Sequence, residues 1–319
     1  MRGQVRPTFG IEIGGRGQRA VLIGEEGRIL DSTHSIDRGS SAPAIVETAC
    51  LLIEQIIARR NLSTTSLQGI GIAFGGPVDA ERGITIRSHR TNGFEQFPLA
   101  SLIEERFGVR TVLENDARAA ALGEFTFGAG RGSRNMVYLH LGSGVGGGII
   151  VDGRLHHGVS MTSGELGHMV VTTNGPRCSC GKPGHLEAYA SEGAIVERMR
   201  LQLAATSPET KANWLAQHGV TVKRIFDAYE TDASAKAVVD ETIQVIGLAI
   251  ANLVTALNPD AVILGGHVTE AAMGLPGMVR AKIRQYGFDA AARHVAVASA
   301  QLGADSGVIG AAVLASRAS

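Results

Sequence analysis

Two stretches of this chain share one unusual design. Phe9-Gly10-Ile11-Glu12-Ile13 alternates like a strand, Gly14-Gly15 breaks it, and Arg19-Ala20-Val21-Leu22-Ile23 resumes the apolar run. Asn135 to Leu141 likewise runs into Gly142-Ser143-Gly144-Val145-Gly146-Gly147-Gly148 and then Ile149-Ile150-Val151. Each reads as a β-hairpin with a glycine-containing connection. The first is explained equally well as a plain hairpin or as a phosphate loop with an acid, Glu12, at its base. The second holds five glycines in seven residues, more than turn geometry requires, which favours an anion site lined by backbone N–H groups with the Ser143 hydroxyl added. One such hairpin in each half of the chain implies an internal duplication facing a common cleft.

The segments between them alternate strand and helix, the signature of an α/β fold. Arg28 to Ser35 reads as a strand, and Ala42 to Arg60 as a helix burying Ile45, Ala49, Leu52, Ile53 and Ile56. Leu67 to Phe74 is a buried-strand pattern ending in Gly75-Gly76-Pro77, where an open α/β sheet presents backbone to a ligand. A strand from Arg110 to Leu113 meets Glu114-Asn115-Asp116 and then a helix. Asn and Asp there fit helix caps, and an acid at a strand's C-terminal end is equally well placed as a base for a bound hydroxyl. Later helices are expected over Ala194–Ala204, Val222–Tyr229, Ala233–Leu257 and Gly307–Arg317, with strands at Asp260–Leu264 and Val295–Val297. The best boundary between two lobes lies near the Asn115-Asp116 crossing.

Between the second hairpin and the later helices lies a segment rich in metal-ligand chemistry, Ser163 to Glu187. It places Glu165, His168, Cys178, Cys180, His185 and Glu187 within one Gly- and Pro-rich loop, which holds two of the three cysteines in the chain. Thiolate and imidazole are the donors zinc prefers, and His168, Cys178, Cys180 and His185 make a closed set of four. A metal would give the loop one shape and bring Glu165, His168 and Glu187 together. Lys+Arg and Asp+Glu both number 30 in 319 residues, so the basic excess expected of a nucleic-acid binder is missing. The N-terminal segment lacks the apolar run of a signal peptide, and no stretch approaches a membrane span on this reading. A cytoplasmic protein with neither membrane nor nucleic acid among its partners is expected.

Taken together, LENDARAAALGE (113–124), LGSGVGGGIIVDGRL (141–155), GELGH (164–168) and CSCGKPGHLEAYAS (178–191) resemble the ROK family (repressor, open reading frame, kinase). GIAFGGPVD and NPDAVILGG fit its flanking segments, so the likeness spans nearly the whole chain. It implies a two-lobed actin-like/hexokinase-type (ribonuclease H-like) α/β fold with an interdomain cleft. Residues 1–116 would form the first lobe, completed by a helix near 305–319, and residues 117–304 the second, with the zinc loop at 168–187. With the first hairpin beginning within ten residues of Met1, no winged-helix domain is expected ahead of it. The kinase branch is favoured.

The resemblance also implies roles. Asp116 matches the catalytic base, and Gly76, Asn115, Asp116, Glu165, His168 and Glu187 match the sugar contacts. Glu12, Gly14, Gly15 and Arg16 occupy the first phosphate hairpin, and Gly142, Ser143, Gly144 and Gly146 the second. Gly265 and Gly266 stand where adenosine is held. A structural zinc on His168, Cys178, Cys180 and His185, and magnesium accompanying ATP, are the implied cofactors, and a homodimer the implied assembly. The activity expected is phosphorylation of a hexose or N-acetylhexosamine of the glucose or N-acetylmannosamine type.

Five residues, in three segments, depart from the family pattern. Glu12, Arg16 and Gly17 stand where Asp, Thr and Lys are usual, His185 replaces a third zinc-binding cysteine, and Arg118 replaces a second asparagine. The altered first hairpin keeps a second expectation open, that of a catalytically weak sugar-binding regulatory protein on the kinase scaffold.

Overall fold

The computed structural model describes residues 6–14, 17–37, 39–88, 91–216 and 219–318. Gly15 and Arg16, expected in the first phosphate hairpin, lie outside the described residues. The strands in chain order are β1 (Thr8–Gly14), β2 (Gly17–Ile23), β3 (Ile29–Ser35), β4 (Gly69–Phe74), β5 (Val78–Asp79), β6 (Ile84–Thr85), β7 (Thr111–Asn115), β8 (Met136–Leu141), β9 (Val145–Val151), β10 (Arg154–Leu155), β11 (Ala261–Gly265) and β12 (Ala296–Ser299). The helices are α1 (Ala42–Arg60), α2 (Leu99–Phe107), α3 (Asp116–Phe127), α4 (Glu187–Ala190), α5 (Glu192–Ala204), α6 (Pro208–Ala216), α7 (Val222–Asp227), α8 (Ala233–Leu257), α9 (His267–Ala271), α10 (Leu275–Tyr286), α11 (Asp289–His294) and α12 (Ser306–Arg317).

The first sheet has the order β3-β2-β1-β4-β7. Its β1–β2 and β2–β3 pairs are antiparallel, and β4 lies parallel to both β1 and β7. The second sheet has the order β10-β9-β8-β11-β12, with β11 parallel to both β8 and β12. In both, the strands of a hairpin come first and crossover strands are added on the far side. This common order agrees with the internal duplication implied by the two glycine hairpins. β4 is buried along its whole length, which is why its sequence, Gly-Ile-Gly-Ile-Ala-Phe, reads as an unbroken apolar run.

Two compact units divide the chain, one of residues 1–132, 148–164 and 301–319, the other of residues 133–147 and 165–300. A boundary at residues 116/117 would have put α3 in the second unit, whereas α3 clusters with the first. The physical reason is its packing on α12. A Cβ on Gly310 would stand 1.7 Å from the carbonyl oxygen of Ala119, and one on Gly71 of β4 would stand 1.8 Å from that of Ala311. Only glycine permits backbones to approach so closely, and α12 thereby fastens α3 to the sheet. The remaining core of this unit joins Phe9, Ile11, Ile53, Ile70 and Phe74 to Phe94, whose ring lies 4.9 Å from that of Phe74.

In the second unit α8 needs a correction to the sequence reading. Its 25 residues include a window of mean hydropathy 1.6, long and apolar enough by composition to cross a membrane. Most of that window is buried, with α5, α7, α10 and α11 packed along the helix. Such burial is the mark of a core helix, apolar on several faces because neighbours cover them.

Candidate active site and metal loop

β7 and α3 meet at Asn115 and Asp116, and local capping chemistry fixes both side chains. The Asn115 carboxamide oxygen accepts the N–H groups of Ala117 and Arg118, each at 3.1 Å, as an N-cap does. Its amide nitrogen donates to the Gly76 carbonyl at 3.2 Å and to Asp116 Oδ1 at 3.1 Å. Asp116 Oδ1 also accepts the Ala117 N–H at 2.8 Å. The other oxygen, Oδ2, lies beside Gly75, where an added Cβ would come within 3.4 Å of it and of the Gly14 Cα. Glu12, also on β1, reaches toward Gly14 in turn. The first unit therefore brings together Glu12, Gly14, Gly76, Asn115 and Asp116. Placed at the first turn of α3, Asp116 has its negative charge favoured by the helix dipole.

Behind these residues lies a buried charge network that the sequence reading did not anticipate. Glu114 is fully buried and accepts from Arg118 Nε at 2.7 Å, from the Asn115 N–H at 2.8 Å and from His157 Nε2 at 2.6 Å. Arg118 also donates to the carbonyls of Met161 and Ser163. Burial opposes the Glu114 charge, but the His157 hydrogen bond and the Arg118 guanidinium outweigh it and hold the carboxyl below its ordinary value. The i, i+4 spacing of Glu114 and Arg118 was a visible signal. His157, 43 residues away, carried none.

In the second unit the glycine hairpin meets the Glu165–His168 turn at Val145. A Cβ on Gly167 would stand 2.1 Å from the Val145 carbonyl oxygen, so the glycine of GELGH seats that turn on the hairpin. On the other side of the same residue, the Val145 N–H donates to Glu187 Oε2 at 3.1 Å. Gly144 is tight against Glu187 as well. The Gly142 carbonyl accepts the Glu192 N–H at 2.8 Å, and Gly266, at φ +86°, abuts the Leu141 carbonyl. Gly142, Ser143, Gly144, Gly146, Gly265 and Gly266 thus cluster at the ends of β8, β9 and β11.

The metal loop is a tight hairpin in its own right. Cys178 N donates to Lys182 O at 2.9 Å, Gly184 N to Pro176 O at 2.9 Å and Leu186 N to Met169 O at 2.9 Å. The donor atoms of His168, Cys178, Cys180 and His185 all lie within 4.8 Å of one another. Cys178 Sγ is 3.5 Å from His168 Nδ1, and Cys180 Sγ is 3.3 Å from His185 Nδ1. Tetrahedral ligands at about 2.0–2.3 Å from zinc stand roughly 3.3–3.8 Å apart, so this donor set fits the ion. Burial and the neighbouring charges of His168 and Lys182 keep His185 toward its neutral form, the form that ligates. His168 points its other nitrogen, Nε2, toward Glu165 Oε2 at 4.0 Å, leaving one nitrogen for each side. Burial works against the Glu187 charge, yet hydrogen bonds from Ser179, Val145 and Cys178 lower its pKa.

The model of the ROK family matches residues 8–318. A glucokinase of Halalkalibacterium halodurans is 35% identical over 310 residues, covering 94% of this chain and 92% of that protein. A xylose repressor of Bacillus spizizenii is 31% identical over 279 residues, 86% of this chain and 68% of the repressor. Among solved structures, a ROK family glucokinase from Streptomyces griseus in complex with glucose and AMPPNP aligns with a TM-score of 0.81 at 32% identity, covering 98% of this chain and 99% of that one.

Proposed function

Because the chain belongs to the ROK family, we propose that it is an ATP-dependent sugar kinase acting on a hexose or N-acetylhexosamine of the glucose or N-acetylmannosamine type. Its α/β fold is that of the ROK glucokinases. The observation that carries the reading is the anchoring of Asp116, whose Oδ1 is tied by the Asn115 amide and the Ala117 N–H while Oδ2 faces the glycines at the ends of β1 and β4. In this role Asp116 takes the proton from a sugar hydroxyl as that oxygen bonds to the γ-phosphorus and the bond to the ADP oxygen breaks. Phosphoryl transfer needs positioning and charge neutralisation more than covalent help, and a base held in one orientation supplies the first.

Gly76, Asn115, Glu165, His168 and Glu187 are the sugar contacts in this reading. Carboxylates and an amide suit vicinal hydroxyls, and leaving such groups unpaired penalises the wrong sugar. The donor is magnesium-complexed ATP, with the glycine hairpin from Gly142 to Gly146 offering backbone N–H groups to its phosphates. Glu12, Gly14, Gly15 and Arg16 belong to the first phosphate hairpin, and Gly265-Gly266 to the adenosine. A structural zinc held by His168, Cys178, Cys180 and His185 would fix the sugar-facing nitrogen of His168. A homodimer in the cytoplasm completes the reading, and light scattering tests the assembly.

A coupled assay over a panel of hexoses and phosphate donors decides the matter, with turnover on at least one pair expected. Measurable sugar binding with no turnover on any pair would favour a sugar-binding regulatory protein instead. That second reading is supported by Glu12 and Gly17 in the first hairpin and by the xylose repressor among the relatives.

A further inference from the structure

Glu187 touches two parts of the second unit that lie far apart in sequence. Its Oε2 accepts the Val145 N–H of the glycine hairpin at 3.1 Å. Its Oε1 accepts from the metal loop, from Ser179 Oγ at 2.5 Å and from Cys178 Sγ at 3.4 Å. These two loop donors are not equivalent. A cysteine that ligates zinc does so as thiolate and has no proton to give, so once the metal is bound the Ser179 hydroxyl is the loop's remaining donor to Oε1.

We propose that Ser179 is a positioning residue, whose hydroxyl holds the Glu187 carboxylate against the Val145 N–H so that the metal loop sets the shape of the glycine hairpin. The junction is compact. Gly144 leaves room for the carboxylate, since a Cβ there would come within 3.0 Å of Glu187 Oε2. Gly167 lets the Glu165–His168 turn press on the carbonyl of the same residue, Val145, in the next peptide unit. Five glycines in seven residues give this hairpin little rigidity of its own, so an external tie to its backbone has a disproportionate effect on its order. Ser179 is itself exposed, and nothing in the core depends on it. A side chain placed between two metal-binding cysteines thus controls the backbone of a loop outside the metal site.

One consequence is that the wall carrying Glu165, His168 and Glu187 and the hairpin offered to phosphate are mechanically one piece. Ordering either should order the other, giving mutual enhancement of sugar and donor binding. This kinetic half of the inference rests on the sugar-kinase reading. The structural half does not.

The experiment compares zinc-loaded wild type, Ser179→Ala and Ser179→Thr by amide hydrogen exchange of the peptide covering residues 142–148, with zinc content measured in parallel. Loss of one charge-assisted hydrogen bond should speed exchange of this segment in Ser179→Ala by about five- to tenfold. Ser179→Thr keeps the hydroxyl and should restore the wild-type rate, and zinc should stay stoichiometric in all three. In steady state, Ser179→Ala should raise the KM for both sugar and ATP about fivefold while kcat changes less than about twofold. Unchanged exchange in Ser179→Ala overturns the proposal. So does equal acceleration in the threonine variant, or loss of zinc from the alanine variant, because the effect would then run through the ligands. Absence of turnover in every protein, with the exchange pattern as expected, would remove the kinase reading and leave the positioning role standing.

Discussion

Arg118 Nε donates to Glu114 Oε1 across 2.7 Å, and both side chains are buried, at 2% and 0% exposure. A charged pair so deep in the first unit is tolerated because most of its other polar atoms are paired, Arg118 Nη2 having no hydrogen-bond partner among the described residues. His157 and the Asn115 N–H take up Glu114, and the Met161 and Ser163 carbonyls take up Arg118. Removing one partner leaves an uncompensated charge, which costs about 3–5 kcal/mol. Arg118→Met is therefore expected to lower the melting temperature of the protein severely. Arg118→Lys should recover part of the loss, since one ammonium cannot reach Glu114 and two carbonyls in the guanidinium's fixed geometry.

The same network sets an acid limit on stability. The folded-state pKa of Glu114 lies below its ordinary value of 4.5. Its contribution is therefore fully present above that value and is lost as pH falls below it, through the depressed folded pKa. Thermal melts of wild type should lose stability progressively on acidification from about pH 5 downward. Glu114→Gln should be less stable at neutral pH and show a flatter acid limb. An unchanged slope in the variant would mean that other carboxylates dominate.

Glu124 serves a comparable purpose at the far end of α3. It is fully buried, and its carboxylate accepts the N–H groups of Ala129, Gln301 and Leu302 and the Ser306 hydroxyl, at 2.8–3.0 Å. It therefore holds the chain's return into α12. Glu124→Gln replaces an acceptor oxygen with an NH2 group facing backbone N–H donors, and each unmatched buried donor costs about 1–3 kcal/mol. We expect the urea midpoint for unfolding of the first unit to fall well below that of wild type. Proteolysis should then begin near residues 300–306, at the released segment.

Much of this architecture could be read beforehand, and what escaped has identifiable causes. The bounds of α1, Ala42–Arg60, were legible because a wide apolar face ends at Asn61, which takes the left-handed conformation of a helix stop. The two glycine hairpins were legible from their repeated strand–glycine–strand pattern. By contrast, α10 was passed over because only Leu275, Val279 and Ile283 are buried in its twelve residues, a single thin stripe among Arg and Lys. α2 was missed despite buried Leu99, Ala100, Ile103 and Phe107, because nine residues after a proline give the period little room to show. At the candidate site, ligand types and glycine excess marked the residues, but partners distant in sequence did not announce themselves. Nothing in the spacing relates Glu114 to His157 or Glu187 to Val145.

In the proposed reaction, a substitution at Asp116 should separate binding from chemistry. Its carboxylate is held by Asn115 and Ala117, and an asparagine can keep a carbonyl oxygen in the Oδ1 position. Asp116→Asn should therefore fold normally and bind sugar within a few-fold of wild type, while losing about 10²–10⁴ of kcat. Isothermal titration with glucose and N-acetylmannosamine, beside the coupled assay, reads both quantities. Retained turnover would remove Asp116 as the base.

Metal content tests the loop as a whole. Two sulfurs and two nitrogens within 4.8 Å of one another, on a hairpin closed by its own backbone bonds, form a site organised largely before an ion arrives. Purified protein should contain about one zinc per chain by elemental analysis, the content of a closed four-ligand site. Because the hairpin is already tied by backbone bonds, chelation should not unfold it outright. It should lower the melting temperature by the linkage free energy of the lost ion and speed hydrogen exchange across residues 168–187. Cys178→Ser, which removes one of the two buried donors, should reproduce the chelated behaviour. A protein that carries no zinc as purified, and whose melting temperature is indifferent to both zinc and chelator, would show the four side chains to be an unused cluster. The orientation of His168 would then rest on its hydrogen bonds alone.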